Sequence, residues 1–336
     1  MSATNIRRLR YEVELAPVIG STFQPTGFPD IGPAYFDAPG PDGTTIPMLL
    51  VESVQSMANR LENTAWNSAD RAPVDTVADL PYVRVHHADD PDRFLTSSRQ
   101  EAHRLTSAFV RDSALGNRKM VDVITERLGL ANDKPLDFPA MADAITRLDP
   151  FSLLHGVFFN QKPWHGQPRF TRATSAVVEA YDVSRVISGG RKSDSVRHSL
   201  GDQSEGGGTS EGYGSIPFHR VEWTARTIKA MFSVDVALLR SYGLDDTRTN
   251  MLITLAQWEI RQLLDNGMRL RTSCDLEPVS EIKANPHTEA LLEADVLDER
   301  LRELVAATAK NLNTCGALTV AWRDGKAAKK KATAGA

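Results

Sequence analysis

Apolar and polar residues alternate singly through "RYEVELAP", with Tyr11, Val13 and Leu15 set against Glu12 and Glu14. That period of two predicts a half-buried strand near the start of the chain. In "LLVESVQSMANRLENTAW" the spacing changes: Leu50, Val54, Met57 and Leu61 follow one another at steps of four, three and four. This is one apolar face of a helix. Its opposite side carries Glu52, Ser56, Asn59, Arg60 and Asn63, a polar stripe with few charges rather than the Lys/Glu mixture of a solvated face.

"PYVRVHH" reads as a short strand, and helices are expected over Phe94 to Arg111, Lys119 to Leu128 and Phe138 to Leu148. "FSLLHGVFFN" is short, apolar and aromatic, which predicts a central strand. "SAVVEAYDVSRVIS" and "TIKAMFSVDVALLRSYG" predict two more strands, and between them Gly189 to Gly214 contains eight glycines and almost no apolar residue. Such a segment cannot contribute to a core and is expected to project as a flexible loop. A helix in "TRTNMLITLAQWEIRQLLDNG" ending at Gly267, an alternating strand in "MRLRTSCDLEPV", a helix from about His287 to Leu312 and a last strand in "CGALTVAW" complete the chain. The irregular alternation is α+β, and an RRM-like, ferredoxin-type sheet with large insertions fits it.

The 336 residues suffice for one elaborated domain or two. The expected division is a single elaborated domain over 1–322, a helical insertion at about 88–150, a flexible thumb-like insertion at about 188–217, and a basic tail over 323–336. No apolar run approaches the length that spans a bilayer, and "MSATNIRRLRYEVEL" has no apolar signal core, so a cytoplasmic protein with no membrane partner is expected. Cys274 and Cys315 lack partners at zinc-ligand spacing and are read as reduced, buried thiols.

The formal net charge of −4 conceals segregation. Residues 160–200 hold seven Lys/Arg against three Asp/Glu, and 273–300 hold eight acidic residues against two basic. A polyanion-binding face and an acidic face that meets another copy would look like this. Charge alone leaves ordinary solvated surface as an equal reading.

"GGRKS" lacks the earlier glycine and following helix of a phosphate loop, and "GGGTSEGYG" lacks the dinucleotide spacing. The eight histidines are scattered, His86 and His87 would point to opposite faces of a strand, and no metal site or cofactor is expected. His155, in "LLHGVFF", fits a hydrogen-bonded core histidine better than a catalytic base. Polyanion binding has more support. "NQKPWHGQPRFTR" interleaves Lys162, His165, Arg169 and Arg172 with Trp164 and Phe170, which would pair phosphate charge with surfaces for base stacking. Arg191, Lys192, Arg197 and His198 lie where glycines let backbone amides approach a phosphate, and "YGSIPFHR" ends in Phe218, His219 and Arg220.

"GSTFQPTGFPDIG", "LLVESVQSMANRLENTAW", "SLLHGVFF", "VISGGRKSD", "YGSIPFHR" and "MRLRTSCDLE", in this order, resemble the Csb-type backbone RAMP protein of type I-U (I-G) CRISPR effector, or Cascade, complexes. The likeness runs from about residue 10 to about residue 280. It implies a modified RRM palm with a flexible thumb, and copies stacked head to tail along the CRISPR guide RNA as a helical filament in an antiviral ribonucleoprotein. It further implies target DNA met through guide pairing, a large subunit, a fused guide-processing subunit and a recruited helicase-nuclease, with no catalysis by this chain.

Under that resemblance the RNA-binding candidates are Gln55, Ser56, Asn59, Arg60, Lys162, Arg169, Arg191, Lys192, Arg197, His219 and Arg220. Phe23, Gln24 and Phe28 belong to a shaped loop expected at the RNA or a subunit interface. The alternative is a RAMP-type ribonuclease cutting guide precursor or target RNA, with Asp30, or His155 with His219, as its suspects. Asp30 is the sole charge in its loop and lacks a second acid or a base nearby in sequence, so a turn or cap role suits it better.

Overall fold

The computed structural model describes residues 6–28, 30–193, 215–312 and 316–324, without the side chains of 28, 191–193 and 215–218. The first half contains β1 (Leu9–Pro17), β2 (Tyr35–Pro39), β3 (Thr45–Glu52), α1 (Val54–Thr64), β4 (Tyr82–His87), β5 (Asp90–Ser97), α2 (Met120–Arg127), α3 (Phe138–Thr146) and α4 (Phe151–His155). After it come β6 (Val157–Phe158), β7 (Arg169–Phe170), β8 (Thr174–Ser193), β9 (Ser215–Val234), α5 (Val236–Ser241) and α6 (Asp246–Asp265). The chain closes with β10 (Met268–Arg271), β11 (Cys274–Pro278), β12 (Lys283–Asn285), α7 (Ala294–Leu312) and β13 (Ala317–Trp322).

The main sheet runs β10-β11-β1-β9-β8-β3-β2, with β12 also paired to β1. Within it β1, α1, β8, β9, α6 and β11 follow one another as strand, helix, strand, strand, helix, strand. The four strands lie in the order β11-β1-β9-β8, and each neighbouring pair is antiparallel. This is the ferredoxin-like arrangement on which RRM domains are built. Leu9, Tyr11, Val13 and Leu15 are buried on the helix side, as their alternation requires. Gln257 of α6 donates to the Tyr11 hydroxyl at 2.8 Å, tying that helix to the central strand. Met57 and Leu61 of α1 are fully buried, and removing the Leu61 side chain to Ala would cost about 2–5 kcal/mol. α7 lies against α6, where the Trp258 indole N–H donates to Asp298.

A second sheet is assembled from the insertion and the end of the chain. β13 runs parallel to β4, from Ala317↔Tyr82 to Trp322↔His87, and β5 pairs with β4. Four expectations are corrected here. Residues 90–97 are a strand and not the start of a helix, since pairing with β4 buries Thr96 and Ser97; of the expected helix there remain a turn at Arg104–Thr106 and one at Ala108–Arg111. "FSLLHGVFFN" starts as the helix α4, because Asp149 accepts the Phe151 N–H at 3.1 Å and Gly156, at φ 85°, ends the turn. "MRLRTSCDLEPV" is the hairpin β10–β11 and not one strand, and the helix expected from His287 starts at Ala294.

β8 and β9 pair from Thr174↔Val234 out to Ser193↔Ser215. β1 covers only residues 228–234 of β9, and β3 only 178–181 of β8. Beyond Val183 the two strands therefore form a ribbon that leaves the sheet. The described ends of the glycine-rich segment belong to this ribbon, while residues 194–214 lie outside the described residues. At the ribbon's base Phe23 and Trp223 exchange backbone hydrogen bonds of 2.8 and 3.0 Å, and Tyr35 stacks on Trp223 with centroids 5.4 Å apart. Cys274 is buried, and burial pushes its thiol up to about 11; Cys315 lies outside the described residues.

Candidate nucleic-acid interface

α1 begins at Ser53, whose hydroxyl accepts the Ser56 N–H at 3.3 Å. Its apolar stripe faces inward, which leaves Gln55 and Asn59, one turn apart, exposed, and Ser56 half-buried. Arg60 is differently employed. Its guanidinium pairs with Glu52 at 3.0 Å and donates to the carbonyls of Arg269 and Leu270 at 3.4 and 2.5 Å. Arg271 joins the same carboxylate at 2.6 Å and donates to the carbonyls of Gln24 and Val51. Glu52 is 1% exposed, so two arginines neutralise one buried acid and fasten α1, β10 and the loop after β1 together.

Gln55 and Asn59 form one wall of a cleft of about 570 Å³. The other wall is the chain from His155 to Arg172, with His103, Arg104 and Thr106 closing one side. Arg169 and Phe158 are exposed there, the guanidinium 5.6 Å from the ring centroid. Lys162 is exposed on the connecting loop, which Gln167 secures by donating to the Asn160 carbonyl at 2.8 Å. The expected stacking surfaces are displaced. Trp164 is fully buried edge-on against Phe159 at 5.2 Å, and Phe170 is buried between Phe138 and Tyr242. Phe158 takes their place at the surface, a consequence of two adjacent phenylalanines in extended chain, one of which must face outward.

Beneath the cleft lies a buried polar network. Arg104 grips Glu62 through Nε at 2.6 Å and through a terminal nitrogen, and donates to the Gly156 carbonyl at 2.9 Å. Arg99 pairs with Asp149 at 2.9 Å and lies 3.5 Å above the Phe151 ring. His155 places Nε2 2.9–3.0 Å from both oxygens of Glu259. Burial pushes His155 down to about 4, so the imidazole is neutral near pH 7, and raises the Glu259 carboxyl well above the usual carboxylate range. His155 is thus a bonded core histidine on the cleft floor. Sequence reading passed over His103 and Arg104, because it placed them inside a continuous helix.

The remaining candidates stand elsewhere. Arg191 and Lys192 lie on the ribbon opposite Pro217 and Ile216, His219 is exposed opposite Gly189, and Arg220 pairs with Glu222 at 2.8 Å. Arg197 lies outside the described residues. Phe23 is buried at 1% exposure and anchors its loop, Gln24 N–H donates to the Ser273 carbonyl at 2.8 Å, and the Phe28 side chain is outside the description. Asp30 is exposed in the turn between Gly27–Phe28 and Gly32–Pro33. Among the described residues no three His, Cys, Asp or Glu side chains converge as a metal site, and no helix is long and apolar enough to cross a membrane.

RRM domains commonly read RNA on the open sheet face with aromatic side chains. In this sheet that face carries Glu12, Glu14 and Glu179 together with Arg10, Lys229 and Lys283, with Lys229 2.8 Å from Glu12, and Tyr181 is tied to Glu179. Its charges are of both signs, whereas the cleft beside α1 offers amides, cations and one exposed ring.

A ferredoxin-like palm, a ribbon arm leaving its sheet and a polar cleft along the first helix define a protein of the RAMP class. The family model described as CRISPR-associated protein GSU0053 matches residues 9–185, more than half of the chain, and the chain belongs to that family, among the backbone RAMP proteins. Among solved structures it is similar to a chain of a CRISPR RNA-guided surveillance complex, pre-nicking, at 11% identity and TM-score 0.38, covering 91% of this chain and 88% of that one. It is also similar to Csc2 of Thermofilum pendens, at 9% identity and TM-score 0.31, covering 91% and 77%. No curated protein matches the sequence. The family assignment rests on the sequence match and not on these distant shapes.

Proposed function

We propose that this chain is a non-catalytic backbone subunit of a type I-U (I-G) CRISPR effector complex, which holds the guide RNA in the cleft between α1 and the segment 155–172. The observation that carries this reading is the convergence of Gln55 and Asn59 with Arg169, Arg172 and the exposed Phe158 around one cleft. Amides hydrogen-bond ribose hydroxyls and phosphates, arginines neutralise phosphates, and the ring stacks on a base. Copies follow one another head to tail along the RNA, and the β8–β9 ribbon is the thumb that reaches a neighbour. Target DNA then meets the complex through guide pairing, beside a large subunit, a fused guide-processing subunit and the helicase-nuclease they recruit.

Co-expression with a CRISPR array tests the reading. Purified protein is expected to carry guide-derived RNA of uniform sequence, intact, in a length ladder, and to release it in high salt. Protein free of RNA at low salt would overturn the proposal. Metal-dependent cleavage of that RNA, lost in Asp30→Asn, would replace the scaffold with the ribonuclease alternative.

A further inference from the structure

Three enclosed polar atoms of the cleft lining have no hydrogen-bond partner among the described residues: Arg172 Nε, His155 Nδ1 and Gln161 Oε1. Arg172, two residues beyond β7, is half-buried, with Nε enclosed and without a hydrogen-bond partner among the described residues. His155 lines the same floor at 1% exposure, and its Nδ1 is likewise enclosed and unpartnered. Buried polar groups are nearly always paired in folded proteins, so such exceptions lining one cleft point to a ligand.

Arginine has no acceptor and keeps its charge. Nε2 of His155 lies 2.9 Å from the Glu259 carboxyl. The nearby acids are already taken, Glu62 by Arg104 and Asp149 by Arg99 and Ser98. Gly156 makes the juxtaposition possible, since a Cβ there would stand 3.1 Å from the Arg172 backbone nitrogen. An enclosed guanidinium N–H on a fixed cation suits an oxyanion. The amides of Gln55 and Asn59 and the Arg169 cation line the same cleft, so that oxyanion belongs to a longer polar ligand.

We propose that the Arg172 guanidinium forms a built site for one phosphodiester oxyanion of bound single-stranded RNA, whereas Arg169 and Lys162 attract the strand as general charges. The proposal rests on the RNA-binding reading above. It predicts that guanidinium geometry, not charge alone, matters at position 172.

The test measures the affinity of single-stranded RNA across a salt series by fluorescence anisotropy for the wild-type chain, Arg172→Lys and Arg169→Lys. Arg172→Lys is expected to lose about tenfold in affinity although the charge is kept, and Arg169→Lys to stay within about twofold. Arg172→Gln is expected to lower the salt slope by about 0.7, one phosphate contact on a single strand. A short RNA just long enough for one copy, carrying single neutral methylphosphonate linkages in turn, is read with the wild-type chain alone and decides the matter if Arg172→Lys does not fold. One central linkage is expected to cost about tenfold and the others little. Equal binding by Arg172→Lys and wild type, or equal effects at every linkage, overturns the built site while the RNA reading stands. No RNA binding by wild type overturns both.

Discussion

Burial of His155 beside Glu259 links two titrations. The imidazole is held down to about 4 from 6.5, and the carboxyl is raised well above 4.5. On folding the raised carboxyl takes up protons while the depressed imidazole releases them, so their contributions to the pH dependence of wild-type stability oppose one another. Glu259→Gln removes the compensating carboxyl and leaves a histidine whose folded pKa is depressed. Its contribution is present above 6.5 and is lost as pH falls towards 4. Urea midpoints of variant and wild type are therefore expected to diverge on acidification, by at most about 1.4 kcal/mol per pH unit. A constant difference across that range would show that His155 is not held neutral.

Among the elements, the join between α4 and β6 shapes the cleft wall. Gly156 turns it at φ 85°, and an added Cβ would stand 3.1 Å from both Arg172 N and Phe170 O, which are backbone atoms with little room to retreat. Gly156→Ala is expected to cost about 1–3 kcal/mol in chemical denaturation and to weaken RNA binding at a temperature where the variant is still folded. Loss of stability with RNA affinity unchanged would detach the cleft from this turn. The strand expected over "FSLLHGVFFN" failed at the same place. A short apolar run does not distinguish a buried strand from a buried helical turn, and the Asp149 cap and Gly156 decide it. α1 was legible because its apolar spacing is regular and its polar side is unusual. β5 was not, since its pairing partner β4 and the buried Ser98–Asp149 bond are contacts that no local pattern announces.

At the scale of the molecule, the ribbon beyond Val183 and Ala225 pairs mainly with itself. Replacing residues 186–222 by a tight turn removes few core side chains and is expected to leave thermal unfolding within a few degrees of wild type. The length ladder of bound RNA should collapse to single short footprints if the ribbon joins neighbouring copies. An unchanged ladder would assign that contact to another surface.

Charge and periodicity by themselves determined the α+β class, the half-buried first strand, the amphipathic first helix, the basic stretch around Arg169 and the glycine-rich excursion, because each is written in neighbouring residues. Tertiary structure alone decided which of those residues meet. It turned Arg60 inward onto the carbonyls of β10, buried Phe170 against Tyr242, and brought Arg104 and Arg172 under the amides of α1. These outcomes depend on residues far apart in the chain, where a buried charge finds its partner or a ring finds its space, and no local spacing carries that information.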